Sequence, residues 1–173
     1  MSYLLDANVF IQAKNLYYGL DFCPAFWEWI SANNTKGQVI SIDKVFDEII
    51  AGEDELTDWV KNVGNTLFRP TNTLVITQLT KVSDWAMTQN YEPGAINDFF
   101  QGADYYLIGH ALAGTHIVVT HEVVSNSTKR IKIPNACAGL NVKFMTPYEM
   151  LRRENARFVL GVHNINKPEL KKK

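Results

Sequence analysis

Four carboxylates stand where an α/β fold would gather them: Asp6, Glu48, Asp104 and Glu122. Asp6 closes the short apolar run Tyr3-Leu4-Leu5, and Glu122 follows the run His116-Ile117-Val118-Val119-Thr120. Glu48 falls one turn along the helix expected after a second apolar run at 38–42, and Asp104 opens the helix expected before the third. Open α/β sheets bind ligands outside the carboxyl ends of their strands, so this pattern predicts one acidic cleft. Converging carboxylates repel one another unless something neutralises them. Mg²⁺ or Mn²⁺ does so with oxygen ligands, and such a site activates water and clamps a phosphodiester for in-line attack. Each acid has a plainer reading too. Asp6 and Asp104 can each cap a helix, Glu48 can be an exposed helix residue beside Asp47, and Glu122 alone says little. The functional reading rests on all four being tied to one sheet edge.

The elements that must position these acids follow from hydrophobic spacing. After Asp6, a helix with Val9 and Phe10 inward is expected, joined inside by Ala13 or Leu16. A second helix carries Phe26, Trp27, Trp29 and Ile30 behind Cys23-Pro24. Asp43 reads as the N-cap of a helix bearing Val45, Phe46, Ile49 and Ile50, ended by Gly52. The triplet Glu53-Asp54-Glu55 precedes Leu56, Trp59, Val60 and Val63, where negative charge suits a helix N-terminus. Residues 74–87 have mixed helical spacing, and 90–94 read as a loop. The run from Asp104 to Ala113 is a helix with small residues for close packing, stopped by Gly114. A polar loop over 125–132, a short helix after Ile133-Pro134, a fourth strand at 142–145 and a helix from Pro147 complete the chain. Apolar strands alternating with helices predict an α/β three-layer sandwich around a central, mostly parallel sheet of four or five strands.

The 173 residues suit one domain over 1–160, with 161–173 expected as a flexible tail ending in Lys171-Lys172-Lys173. No apolar stretch is long enough to span a membrane. The start lacks the basic segment of a secretion signal, so a cytoplasmic location is expected, with Cys23 and Cys137 as reduced thiols. A formal net charge of −1 argues against a protein that coats nucleic acid non-specifically. It leaves a nuclease open, because bound cations restore local attraction for phosphate.

Several motifs carry a more specific resemblance. YLLDANVFI resembles the strand-one motif of PIN-domain proteins, the fold of VapC-type toxins of bacterial toxin–antitoxin systems. KVFDEII and ADYYLIGHALA resemble the family's second and third acidic motifs, and IVVTHE resembles its strand ending in Thr-x-Asp. The resemblance spans about residues 2–152. The stretch KIPNACAGLNVKFMTPYEML looks like a PIN-like branch of unassigned function. It implies Asp6 and Asp104 as main metal ligands, Glu48 and Glu122 completing the site or acting through water, and Asn8 and Thr120 orienting a ligand or the attacking water. Glu122 departs from the family, which has Asp there. Also implied are RNA cleavage to 5′-phosphate and 3′-hydroxyl ends, a cognate antitoxin, and a homodimer formed through the early helices. A PIN-like module that only binds RNA or protein is the alternative.

Other chemistries fit less well. A haloacid-dehalogenase-type phosphatase needs a second Asp where Asn8 stands, and neither a G-x-S-x-G elbow nor a P-loop is present. His110, His116 and His121 lack zinc-site spacing, although His121 neighbours Glu122 and is placed to meet substrate. The four tryptophans read as core or dimer-interface residues. Lys129, Arg130 and Lys132 lie in the loop after Glu122 and are candidates for phosphate contact.

Overall fold

The computed structural model describes residues 1–159. The expected tail over 161–173 lies outside them.

Five short strands form one all-parallel sheet: β1 (Tyr3–Leu5), β2 (Val39–Ile42), β3 (Phe68–Arg69), β4 (Ile117–Val119) and β5 (Phe144–Met145). Their order is β3-β2-β1-β4-β5. Every residue of β1, β2 and β4 is buried, as expected where helices cover both faces of a parallel sheet. From β1 the chain winds outward through β2 to β3, then returns to the other side of β1 as β4 and continues to β5. Parallel crossovers are right-handed, so reversing the direction of winding sends the later helices to the opposite face. β1 and β4 therefore flank the topological switch point, with Leu4 in register with Val118 and Leu5 with Val119.

Nine helices accompany the sheet among the described residues: α1 (Ala7–Gln12), α2 (Pro24–Thr35), α3 (Asp43–Ile50), α4 (Glu55–Val63), α5 (Thr73–Thr88), α6 (Pro93–Gln101), α7 (Ala103–Gly114), α8 (Ile133–Gly139) and α9 (Pro147–Arg153). None of them is long and apolar enough to cross a membrane. α1 runs on into a π-helical turn over Ala13–Tyr17, closed by the Tyr18 amide donating to the Ala13 carbonyl. Ala13 is buried as expected, whereas Leu16 is turned to solvent. The aromatic core runs through Phe10, Phe26 and Trp27, with the Trp27 and Trp59 rings 4.8 Å apart. Cys137 is buried and Cys23 half-buried, both as free thiols.

Several local expectations are corrected. Ile42, not Asp43, is the N-cap of α3. The Asp43 carboxylate instead accepts from the backbone and hydroxyl of Thr71, tying α3 to the segment after β3. Gly114 does not stop α7: Thr115 does, in the left-handed region at φ 53°. Gly114 is the last helical residue, and a Cβ there would run into the His116 ring. The loop expected at 90–94 ends early, because Pro93 starts α6. Gly109 lets α7 close on Leu79 of α5, the most extensive helix contact of the fold. The triplet at 53–55 is the helix start it was expected to be. Asp54 caps α4 in a reciprocal box with Thr57 and pairs with Lys14 at 2.6 Å.

Candidate active site

The carboxyl end of β1 delivers Asp6 directly into the switch point. Its amide bonds the Val119 carbonyl, which fixes it against β4, and its side chain makes no cap bond to α1. Asp6 Oδ2 instead accepts from Thr120 Oγ1 at 2.8 Å and, more weakly, from Asn8 Nδ2 at 3.4 Å. Thr120 Oγ1 in turn accepts from the Glu122 amide at 3.0 Å. The three positions 6, 8 and 120 therefore form one hydrogen-bonded group that fixes the orientation of the Asp6 carboxylate.

Asp6 is 3% exposed. Burial pushes its carboxyl up to about 6; the Thr120 hydrogen bond opposes this, and the charges of Glu122 and Glu48 add to it. Asp104 is not an N-cap, since Gly102 holds that position, and it lies in the first turn of α7. Burial, then the nearby charges of Asp6 and Glu122, push Asp104 up to about 7, while Arg130 pulls it back. Glu48 stands at the exposed rim on α3. Packing around its carboxyl still raises it, again opposed by Arg130. Asp6 and Asp104 thus each feel the charges of Glu48 and Glu122.

Glu122 is held differently. Its side chain is 6% exposed, and Oε1 accepts from Lys132 Nζ at 2.6 Å with Arg130 Nη2 at 3.5 Å. Oε2 accepts from the backbone of Ile133, the first residue of α8, at 2.9 Å. Two openings flank Arg130. One, of about 390 Å³, is lined by Glu48, Asp98, Asp104, Lys129 and Arg130. The other, of about 540 Å³, is lined by Asn8, Gln12, Glu122, Arg130 and Lys132. Asp98 is an acid of the first opening that the sequence reading missed, because α6 itself went unrecognised.

The histidines disperse. His121 packs against Tyr17 and Tyr148, tilted to the first and edge-on to the second, with ring centroids 5.5 and 5.7 Å away, at the edge of the second opening. His110 and His116 face a separate cavity of about 400 Å³ beside Arg69. Burial pushes His110 down to about 4, so it is neutral at ordinary pH.

The donor chemistry of Asp6, Asp104 and Glu48 fits a hard divalent cation. All their donors are oxygens, and their repulsion is what such an ion relieves. Among the described residues no three His, Cys, Asp or Glu side chains are gathered so as to hold a metal as they stand. Mg²⁺ needs only one or two carboxylates beside its waters, so the fit is one of chemistry and charge.

A family model described as "Domain of unknown function (DUF4411)" matches residues 3–158. The chain belongs to that family. No curated protein matches it. A 2.2 Å structure of VapBC-1 from nontypeable Haemophilus influenzae is similar over 84% of this chain and 98% of that one, with a TM-score of 0.52 and 13% identity. At that identity the likeness concerns the fold. This DUF4411 chain has the PIN-like α/β architecture expected from its sequence, with the sheet parallel throughout.

Proposed function

We propose that the chain is a metal-dependent endoribonuclease, the toxin of a toxin–antitoxin pair, cutting RNA to leave 5′-phosphate and 3′-hydroxyl ends. The observation that carries this reading is the placement of Asp6, buried at the end of β1, close enough to half-buried Asp104 for its charge to raise it, with Glu48 lining the same opening as Asp104. Buried like charges are destabilising, and a fold retains them where they work. The likeness to VapBC-1, whose name is that of a toxin–antitoxin pair, supports the same reading. A cognate antitoxin and a homodimer are proposed with it.

Asp6, Asp104 and Glu48 would hold Mg²⁺ or Mn²⁺. When bound, such an ion supplies charge neutralisation at the phosphodiester and activation of the attacking water. Thr120 and Asn8 both bond Oδ2 and keep the Asp6 carboxylate in one orientation. Burial of Asp6 excludes bulk water from its carboxylate and strengthens the charge interactions it makes.

A second reading, a PIN-like module that binds without cutting, is favoured by one observation: Glu122 is occupied by Lys132, Arg130 and the start of α8. The test is incubation of cellular RNA with purified protein and Mn²⁺, beside EDTA. Discrete cuts with 5′-phosphate ends that vanish in EDTA are expected. RNA retained on the protein but left whole selects the binding module.

A further inference from the structure

Glu122 sits one hydrogen bond from the acid group, yet its oxygens face a different set of partners. Lys132 Nζ, at 2.6 Å and itself half-buried, is the tighter of its two cations. The Ile133 amide takes the other oxygen and makes Glu122 a cap for α8. The loop between Glu122 and α8 is fastened elsewhere as well. The Ser125 backbone exchanges two hydrogen bonds with the Asn135 side chain. Within the loop, the Ser127 amide donates to the Ser125 hydroxyl and the Lys129 amide to the Ser127 hydroxyl. The Glu92 amide at the head of α6 donates to the Thr128 carbonyl at 3.0 Å. The loop is thus preorganised from both ends.

Arg130 is what this arrangement presents. Its side chain is 64% exposed, one nitrogen only stands near Glu122, and it lines both openings. A guanidinium carries five N–H donors in a fixed fork, so most of Arg130's donors remain for a ligand. Its charge reaches Asp104 and Glu48 across the cleft. A polyanionic strand crossing from one opening to the other would pass directly over it.

We infer that Glu122 is a positioning residue rather than a metal ligand: with Lys132 it clamps the basic loop so that Arg130 binds a phosphate of single-stranded RNA beside the cut. This rests on the ribonuclease reading for its substrate class, and the test is chosen to fail separately from it. The affinity of the full chain for a short single-stranded RNA oligonucleotide is measured in EDTA, where nothing is cut, across a range of salt. Arg130→Gln is expected to weaken binding about tenfold and to lower the salt slope by about 1. Glu122→Gln is expected to weaken it in the same direction, and the double variant to be no worse than Arg130→Gln alone, the non-additivity of residues that act as one unit.

A parallel Mn²⁺ titration followed by thermal unfolding gives the second readout. Glu122→Gln keeps the parent's Mn²⁺ response within a few-fold if it is a clamp. A Mn²⁺ response abolished in Glu122→Gln, as loss of a ligand would abolish it, would overturn the inference, as would additive effects or tighter RNA binding in Glu122→Gln. A parent that binds RNA in this pattern but never cuts it would overturn the ribonuclease reading and leave the clamp standing.

Discussion

Asp54 and Asp104 are the same residue type near helix starts, and the fold treats them in opposite ways. Asp54 bonds Lys14 and caps α4 through the amides of Thr57 and Leu56, which together hold its carboxyl below the usual range. Asp104 caps nothing and lies half-buried, where loss of solvent around its carboxyl, then the charges of Asp6 and Glu122, raise it to about 7. The first acid stabilises the fold; the second opposes it. Charges at the 53–55 turn serve folding, and those at the β1/β4 switch point are the ones the proposed function uses.

Substitutions should separate the two regions. Asp6→Asn is expected to abolish RNA cleavage, by about a hundredfold or more, with the circular-dichroism spectrum intact. Full activity in a folded Asp6→Asn protein would break the comparison outright. Asp104→Asn should stabilise the metal-free protein by about 2–4 kcal/mol above pH 7, read by urea unfolding. The sign follows from linkage: a folded value of about 7 against an ordinary 3.8 means the folded state binds the proton more readily. The penalty is therefore full above pH 7 and relieved as pH falls toward 4, so the gain from Asp104→Asn should shrink over that window.

Asp54→Ala should instead cost about 1 kcal/mol, the ordinary worth of an N-cap, and leave cleavage alone. Because Asp54 is lowered in the folded state, its contribution should be present above the ordinary carboxylate range and disappear as pH falls through its folded value. Stabilisation on removing Asp54, or lost activity, would erase the distinction. The smallest effect is expected from Thr120→Val. It removes the hydroxyl that opposes the rise of Asp6, so the acidic limb of the pH–rate profile should move to higher pH by a fraction of a unit.

The legibility of the two regions also differs. β1 with Asp6 could be read because an unbroken apolar run ends in a charge, and Asp54 because a polar residue precedes an amphipathic helix. β3 could not: two residues set no period, and its pairing with β2 is long-range. α6 carried its signal in Pro93 at the first helical position, but the neighbouring Gly94 made the segment read as a turn, and Asp98 was lost with it. In the site, Asp6 and Glu122 were legible as acids past strand ends, Glu48 and Asp104 as acids on helices returning to that edge, and the Asp6–Asn8–Thr120 group through the family motif. The partners of Glu122 were not. Lys132 and Ile133 come back to it only after a loop closes, and nothing local in the sequence fixes how that loop folds.

The central claim, that the switch-point acids are kept for a divalent cation, is tested most directly by titrating Mn²⁺ into the EDTA-treated protein while following its Tm. An ion that binds only the folded state raises Tm with concentration. A rise in the parent that disappears in Asp6→Asn, with Asp54→Ala responding like the parent, is the expected result. No rise in the parent, or an equal rise in Asp6→Asn, would contradict the claim.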